Sequence, residues 1–172
     1  MILNFKAGPA VCARQGARRR HKQQAIATLA AALRRAIPLS QALRWTWMPV
    51  APSKAPADPE YDDRLVRVLR AAYGIELDLR AVFTQASSTP GDHAGPERLD
   101  LAALRAITRL DTRLLHEPAR EQGIVVFDDV LTTGKHFICC AQLLRAAGVR
   151  APLIGLFLAR RVRRERAYRR PA

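Results

Sequence analysis

The chain has 172 residues, a formal net charge of +14 and a hydrophobic content of 49%. That length predicts one domain over residues 1–172, with enough chain to build a hydrophobic core. No apolar run is long enough to span a bilayer, and Cys12, Cys139 and Cys140 form no CxxC pair, so a membrane protein, a zinc ribbon and a disulfide framework are not indicated.

The termini and the charge indicate the compartment and the class of partner. The N-terminus lacks the basic, apolar and small-residue order of a signal peptide, so we expect a cytoplasmic protein. The positive charge favours anionic partners such as nucleotides, phosphosugars, nucleic acid or acidic proteins. A genomic bias toward arginine and alanine explains the same charge equally well.

Residues 1–40 form a predicted N-terminal region that precedes the core. The first twenty residues show no clear period and run into a basic cluster over 18–22. A helix is predicted over 22–36, because Ile26, Leu29 and Leu33 recur on one face and a proline follows at position 38.

A core is predicted over residues 41–160, beginning with a strand. Residues 43–50 alternate, with Leu43, Trp45 and Trp47 on one face. The two tryptophans are interpreted as core or interface residues, with base stacking as the alternative. A proline-rich loop over 49–56 follows this strand.

The middle of the chain contains a helix, a short strand and a long polar segment. The helix is predicted from about Pro59, with Asp58 as its N-cap and Gly74 at its end. The strand is predicted over 79–83. Residues 84–96 are rich in turn formers, as is typical of a functional or disordered loop.

The last third continues the alternation of helices and strands. A helix is predicted over 100–110, a strand that begins at Ile124, a helix to Ala147 and a strand over 153–158. Residues 160–172 form a basic tail, interpreted as a solvated terminus or a nucleic-acid patch. Helices alternating with short apolar strands predict an α/β fold with a mostly parallel central sheet flanked by helices.

The segment 124–136 carries the strongest functional signal. Four apolar residues, Ile-Val-Val-Phe, precede Asp128 and Asp129, and Thr132, Thr133 and Gly134 follow. The carboxyl end of a buried parallel strand is where open α/β sheets bind ligands. Paired carboxylates accept hydrogen bonds from vicinal hydroxyls, and a glycine turn before a helix can hold a phosphate. The pattern therefore predicts a site for a phosphorylated ribose.

Residues 124–134 resemble the phosphoribosyl pyrophosphate (PRPP) motif of the type I phosphoribosyltransferases, closest to the ComF-like competence branch. The resemblance implies the type I phosphoribosyltransferase fold, with residues 1–40 as a small hood. It implies transfer of ribose 5-phosphate to a nitrogenous acceptor with release of pyrophosphate, and Asp128 and Asp129 as the catalytic residues. The segment implied to bind ribose 5-phosphate consists of Asp128, Asp129, Val130, Leu131, Thr132, Thr133, Gly134, Lys135 and His136.

Other segments agree with this resemblance. Residues 47–54 are similar to the Pro-Val-Pro loop of ComF-like chains, which implies that Ser53 and Lys54, together with Arg64, face pyrophosphate. Residues 87–98 match the family's mobile loop. Mg²⁺ is implied to arrive with PRPP, with Asp128 and Asp129 as its nearest protein groups.

The chain also departs from the ComF pattern. The cysteine-rich N-terminal zinc module is absent, His136 replaces a hydroxyl residue, and Lys135 replaces a small one. A further similarity, to stand-alone phosphoribosyltransferase-like proteins of bacterial defence systems, rests on four short strings. They are Asn4-Phe5-Lys6, Pro52-Ser53-Lys54, Tyr61-Asp62-Asp63-Arg64 and Ala159-Arg160-Arg161.

Two functions from different classes therefore stay open. The first is a catalytic phosphoribosyltransferase that binds PRPP or a nucleoside monophosphate. Its oligomeric state is open, with a homodimer as one option because dimers are common among similar proteins. The second is a non-catalytic nucleotide sensor or accessory protein, related to competence or defence, whose basic ends contact nucleic acid or a protein partner.

Overall fold

A computed structural model describes residues 5–89 and 99–161. Within these ranges the helices are α1 (Pro9–Arg14), α2 (Gly16–Ala36), α3 (Leu39–Ala42), α4 (Arg64–Tyr73), α5 (Leu101–Ile107) and α6 (Lys135–Ala146), with a 3₁₀ helix at Thr112–Leu115. The strands are β1 (Thr46–Pro49), β2 (Phe83–Gln85), β3 (Thr108–Leu110), β4 (Ile124–Leu131) and β5 (Leu153–Arg160). None of the helices in these ranges combines the length and apolar character needed to cross a membrane.

The central sheet is parallel and has β4 in the middle, in the order β1-β4-β5. Trp47 in β1 also forms a parallel bridge with Leu79, on the edge away from β4. The first four residues of β4 are all buried, as the continuous apolar run predicts. The prediction of an α/β fold with a parallel sheet flanked by helices is confirmed.

The hydrophobic core is centred on Trp47, which has no exposed surface. Its ring lies 5.7 Å from that of Tyr73 and 6.0 Å from that of Phe127, measured between centroids. Its indole N–H donates to the carbonyl of Ala42 at 2.9 Å, so the one polar atom of the ring is satisfied. This contact ties β1 to α3, and the ring contacts join β1 to α4 and β4. For Trp47 the interpretation as a core residue is confirmed, whereas Trp45 is only partly buried.

Two helix starts were predicted wrongly. The long N-terminal helix α2 begins at Gly16 instead of residue 22, because the exposed arginines of its first turns favour a helix without giving an apolar period. The helix expected from about Pro59 begins at Arg64. Asp58 is not its N-cap: the carboxylate accepts from the N–H of Glu60 at 2.8 Å and stabilises a turn.

The short strands also differ from expectation. Strand β1 covers only Thr46–Pro49 and is buried throughout, so the alternation predicted over 43–50 is wrong. The second strand is Phe83–Gln85, although residue 79 lies beside β1. The helix expected over 100–110 ends at Ile107, and Thr108–Leu110 pairs antiparallel with β2 as a separate two-stranded sheet. In segments this short, tertiary pairing overrides local propensity.

The last three elements occur in the predicted order, and β5 is longer than predicted. Strand β4 extends to Leu131, so the acidic pair lies within the strand and not beyond it. Helix α6 begins at Lys135, and β5 continues to Arg160. Residues 90–98 of the expected mobile loop and 162–172 of the basic tail lie outside the described residues.

Candidate functional site

A cavity of about 1100 Å³ opens at the carboxyl ends of β1 and β4. Its wall is formed by the loop after β1, the start of α4, the end of β4 and the turn into α6. Most of the residues predicted to bind the ligand line this cavity. They are Ser53, Arg64, Asp128, Asp129, Val130, Thr132, Thr133, Gly134, Lys135 and His136. Of the residues predicted to bind the ligand, Lys54 and Leu131 are not among those that line the cavity.

Asp129 is a buried carboxylate held between two cations. Its Oδ1 lies 3.1 Å from Nζ of Lys6, and its Oδ2 lies 2.9 Å from Nη2 of Arg64. Burial alone would raise the pKa of Asp129, but the charges of Arg64 and Lys6 and their hydrogen bonds outweigh it, so the pKa is lowered. Asp129 is therefore ionised at neutral pH.

Asp128 lies beside Asp129 and is equally buried, with 6% of its surface exposed. Its Oδ1 accepts from the backbone N–H of Asp129 at 2.7 Å, and its Oδ2 lies 3.3 Å from Nδ1 of His136. Both carboxylates line the cavity, where they can accept hydrogen bonds from the hydroxyls of a ligand.

The turn after β4 combines a left-handed glycine with the start of a helix, an arrangement that can bind an anion. Gly134 has φ +73° and ψ 5°, a left-handed conformation that glycine adopts at little cost, and it directly precedes α6. The first N–H groups of a helix have no carbonyl partner within the helix, and the helix dipole there favours negative charge. Thr132 and Thr133 are exposed toward the same cavity. The acidic pair and the Gly134 turn are therefore parts of one strand–turn–helix unit.

The loop after β1 forms a further wall. The carbonyl of Ser53 accepts from both the N–H and the hydroxyl of Thr89, at 2.8 and 3.1 Å. These bonds fix the proline-rich loop against the segment that follows β2. Ser53 faces the cavity, whereas the side chain of Lys54 does not line it.

Several cavity residues were missed by sequence reasoning. Lys6 reaches Asp129 from the N-terminal segment, where the Asn4-Phe5-Lys6 similarity was the only signal. Asp62 lies 3.5 Å from Nη1 of Arg64 and 2.7 Å from Nζ of Lys22, which is itself buried. Such pairings join distant segments and leave no periodic trace in the sequence.

The donor set fits a cation brought by a ligand better than a resident one. Residues 5–89 and 99–161 contain no group of three or more His, Cys, Asp or Glu side chains that could hold a metal ion. Magnesium is commonly held by one or two carboxylates together with substrate phosphates. Asp128 and Asp129 supply two carboxylates at the cavity wall, which is enough for that arrangement.

Comparisons with known proteins add no relative. The chain matches no protein-family model, no curated protein and no solved structure. Any functional assignment therefore depends on the residues and the geometry of the cavity.

Proposed function

We propose that this chain is a PRPP-binding protein of the type I phosphoribosyltransferase kind, with the corresponding fold and a hood formed by its N-terminal region. It transfers ribose 5-phosphate to a nitrogenous acceptor and releases pyrophosphate. The observation that carries this proposal is that the acidic pair and the Gly134 turn line the same cavity. A ligand with vicinal hydroxyls and a phosphate matches both groups at once.

The protein's share of the reaction is positional and electrostatic. Asp128 and Asp129 accept hydrogen bonds from the ribose hydroxyls and so orient the sugar. The N–H groups of the turn, with Thr132 and Thr133, hold the 5′-phosphate. Arg64 faces the pyrophosphate and stabilises the charge that develops as it departs. Holding both reactants in one cavity removes much of the entropic cost of the transfer.

Magnesium belongs to the proposal as a companion of PRPP. When bound, it neutralises part of the pyrophosphate charge. Asp128 and Asp129 are the residues that would contact it directly or through water.

Calorimetry with PRPP and Mg²⁺ tests the binding step. We expect saturable heat with the wild-type chain and its loss in Asp128→Asn and Asp129→Asn. Asp111→Asn is the matched control, because that carboxylate pairs with Arg113 outside the cavity. Absence of heat with the wild type, or binding in both site variants as tight as in the wild type, would sink the proposal. Release of pyrophosphate with candidate bases then tests transfer.

A second candidate function keeps the ligand site without turnover. It is a nucleotide or PRPP sensor whose basic regions contact nucleic acid or a protein partner. Two observations favour it: Nδ1 of His136 faces Asp128, and Nζ of Lys135 donates to the carbonyl of Leu99. The two residues that depart from the family pattern thus contact protein groups at the expected phosphate end.

The two functions differ in what they release and what they bind. Pyrophosphate formation with any base supports the enzyme. PRPP binding without pyrophosphate release supports the sensor, as does salt-dependent binding to DNA or RNA that deletion of residues 160–172 abolishes.

A further inference from the structure

We infer that Lys6 is a ligand-binding residue of the cavity, supplied by the N-terminal segment as a built-in positive charge beside Asp129. The inference deepens the proposed function and depends on it for the identity of the ligand, a phosphorylated ribose. It assigns a direct role in binding to a segment for which the sequence offers only the Asn4-Phe5-Lys6 similarity.

The segment around Lys6 is fixed in place from several sides. Phe5 has no exposed surface, and the guanidinium carbon of Arg64 lies 5.6 Å from the centre of its ring. The carbonyl of Ala7 accepts from Nζ of Lys22 at 2.8 Å. The N–H of Ala10 donates to Oε1 of Glu60 at 2.8 Å. Lys6 is thus presented to the cavity by backbone that is anchored on both sides of it.

The same side chain belongs to a chain of buried and partly buried charges. Lys22 pairs with Asp62 at 2.7 Å, Asp62 with Arg64 at 3.5 Å, and Arg64 with Asp129 at 2.9 Å. Lys6 then pairs with Asp129 at 3.1 Å, and only 19% of its side chain is exposed. Buried charges are retained where they are paired, so each member helps to hold the next. Lys6 is the member at the cavity wall contributed by the N-terminal segment.

The charge of the cavity explains why a cation is needed there. The described residues that line it include five carboxylates but three lysine or arginine side chains. The carboxylates are those of Asp62, Asp63, Asp100, Asp128 and Asp129, and the cations are Lys6, Arg64 and Lys135. The negative charge of a phosphorylated ligand is repelled by this excess of carboxylates. An ammonium group beside the sugar-binding pair offsets the repulsion at short range. Without Lys6 the acidic pair repels the ligand more strongly.

Binding of ribose 5-phosphate at fixed ionic strength tests the inference. This probe lacks pyrophosphate, so its binding can be measured in EDTA, without magnesium. The effect of Lys6 is then separated from any effect of magnesium. We expect Lys6→Met to raise the dissociation constant for ribose 5-phosphate by about tenfold or more. A change of this size corresponds to the loss of one charge-assisted hydrogen bond. Arg67→Met is the control, because Arg67 is an exposed cation of α4 outside the cavity, and it should stay within twofold of wild type.

A second measurement uses the wild-type chain alone and so avoids any folding defect of the variant. Acetylation of Lys6, followed by mass spectrometry, should slow as ribose 5-phosphate is added and should saturate with the calorimetric curve. Unchanged affinity in folded Lys6→Met, or an unchanged acetylation rate at saturation, overturns the inference alone. Failure of the wild type to bind either PRPP or ribose 5-phosphate overturns the proposed function instead.

Discussion

Nη2 of Arg64, the first residue of α4, lies 2.9 Å from Oδ2 of Asp129 in the central strand. Because 19% of one side chain and 7% of the other is exposed, the pair is largely removed from water. Removing Arg64 would leave the buried carboxylate of Asp129 with Lys6 but without its hydrogen-bonded guanidinium, and this loss of charge compensation destabilises the fold. The pair therefore couples the stability of the fold to the shape of the cavity.

The first prediction concerns this pair. Arg64→Met should lower the free energy of unfolding by about 1–3 kcal/mol, measured by urea denaturation. In a double-mutant cycle with Asp129→Asn, the double variant should lose less than the sum of the single losses, by about 1 kcal/mol. The exposed pair of Arg113 and Asp111 is the control and should show no coupling beyond error. Strict additivity at Arg64 and Asp129 would contradict the prediction.

The second prediction is a pH dependence. Burial opposes ionisation of Asp129, but Arg64 and Lys6 outweigh it and lower its pKa below the ordinary value of 3.8. A carboxyl with a lowered folded pKa stabilises the fold above its unfolded pKa and loses that effect as the pH falls through the folded pKa. We expect the stability difference between wild type and Asp129→Asn to be constant from neutral pH to about pH 5 and to shrink below pH 3.8. A difference that grows on acidification would exclude this assignment.

The third prediction concerns Tyr73, which fastens α4 to the end of α2. Its hydroxyl lies 2.9 Å from the carbonyl of Ile37 and 3.3 Å from that of Leu33, and burial raises its pKa to about 12. Tyr73→Phe should cost about 1 kcal/mol, which lowers the melting temperature by about 2–4 °C. Scanning calorimetry measures this shift. The ribose 5-phosphate affinity should not change, because Tyr73 is not among the residues that line the cavity.

The fourth prediction separates backbone strain from ligand binding at Gly134. A Cβ there meets only Leu131 at 3.8 Å, so the cost of Gly134→Ala comes from the positive φ and amounts to about 1–2 kcal/mol. Gly148 also has a positive φ, with nothing within 4 Å of an added Cβ. Gly148→Ala should therefore lose similar stability but keep its PRPP affinity, whereas Gly134→Ala loses both. Equal affinities in the two variants would contradict an anion site at the turn.

The fifth prediction concerns thiol reactivity. Burial raises the pKa of both Cys139 and Cys140, so their reactive thiolate forms are scarce at neutral pH. Cys12 is only partly buried. In the native protein, iodoacetamide should alkylate Cys12 at least about tenfold faster than either α6 cysteine, as mass spectrometry can follow. In urea the three rates should converge, and comparable rates in the native protein would show that α6 opens readily.

The strand–turn–helix unit was predictable because its signals are local. Four buried apolar residues, two carboxylates and a glycine succeed one another, and β4, the Gly134 turn and α6 follow the same order. The short strands β2 and β3 were not predictable in the same way. Three residues are too few to show a periodic pattern. The composition of Thr108–Leu110 resembles that of the preceding helix α5, and only the pairing with β2 makes this segment a strand.

The assembled cavity was only partly predictable for a similar reason. Ser53 and Arg64 were expected near the acidic pair, and both line the cavity with it. The ion pair of Lys6 with Asp129 joins segments that are far apart in the sequence, and it depends on how Phe5 packs. Local propensity contains no information about such a contact. The assignment to the phosphoribosyltransferases stays a prediction that the ligand experiments test.

The position of β4 between β1 and β5 has a consequence for the order of folding. Strand β5 follows β4 through the single helix α6, whereas α4, β2, α5 and β3 separate β1 from β4. Contacts between nearby segments close faster than contacts between distant ones. We therefore expect β4, α6 and β5 to associate early and β1 to dock late. Asp128 and Asp129 would then be in place on β4 before β1 completes the cavity. The recovery of ligand binding would therefore follow the last step of refolding.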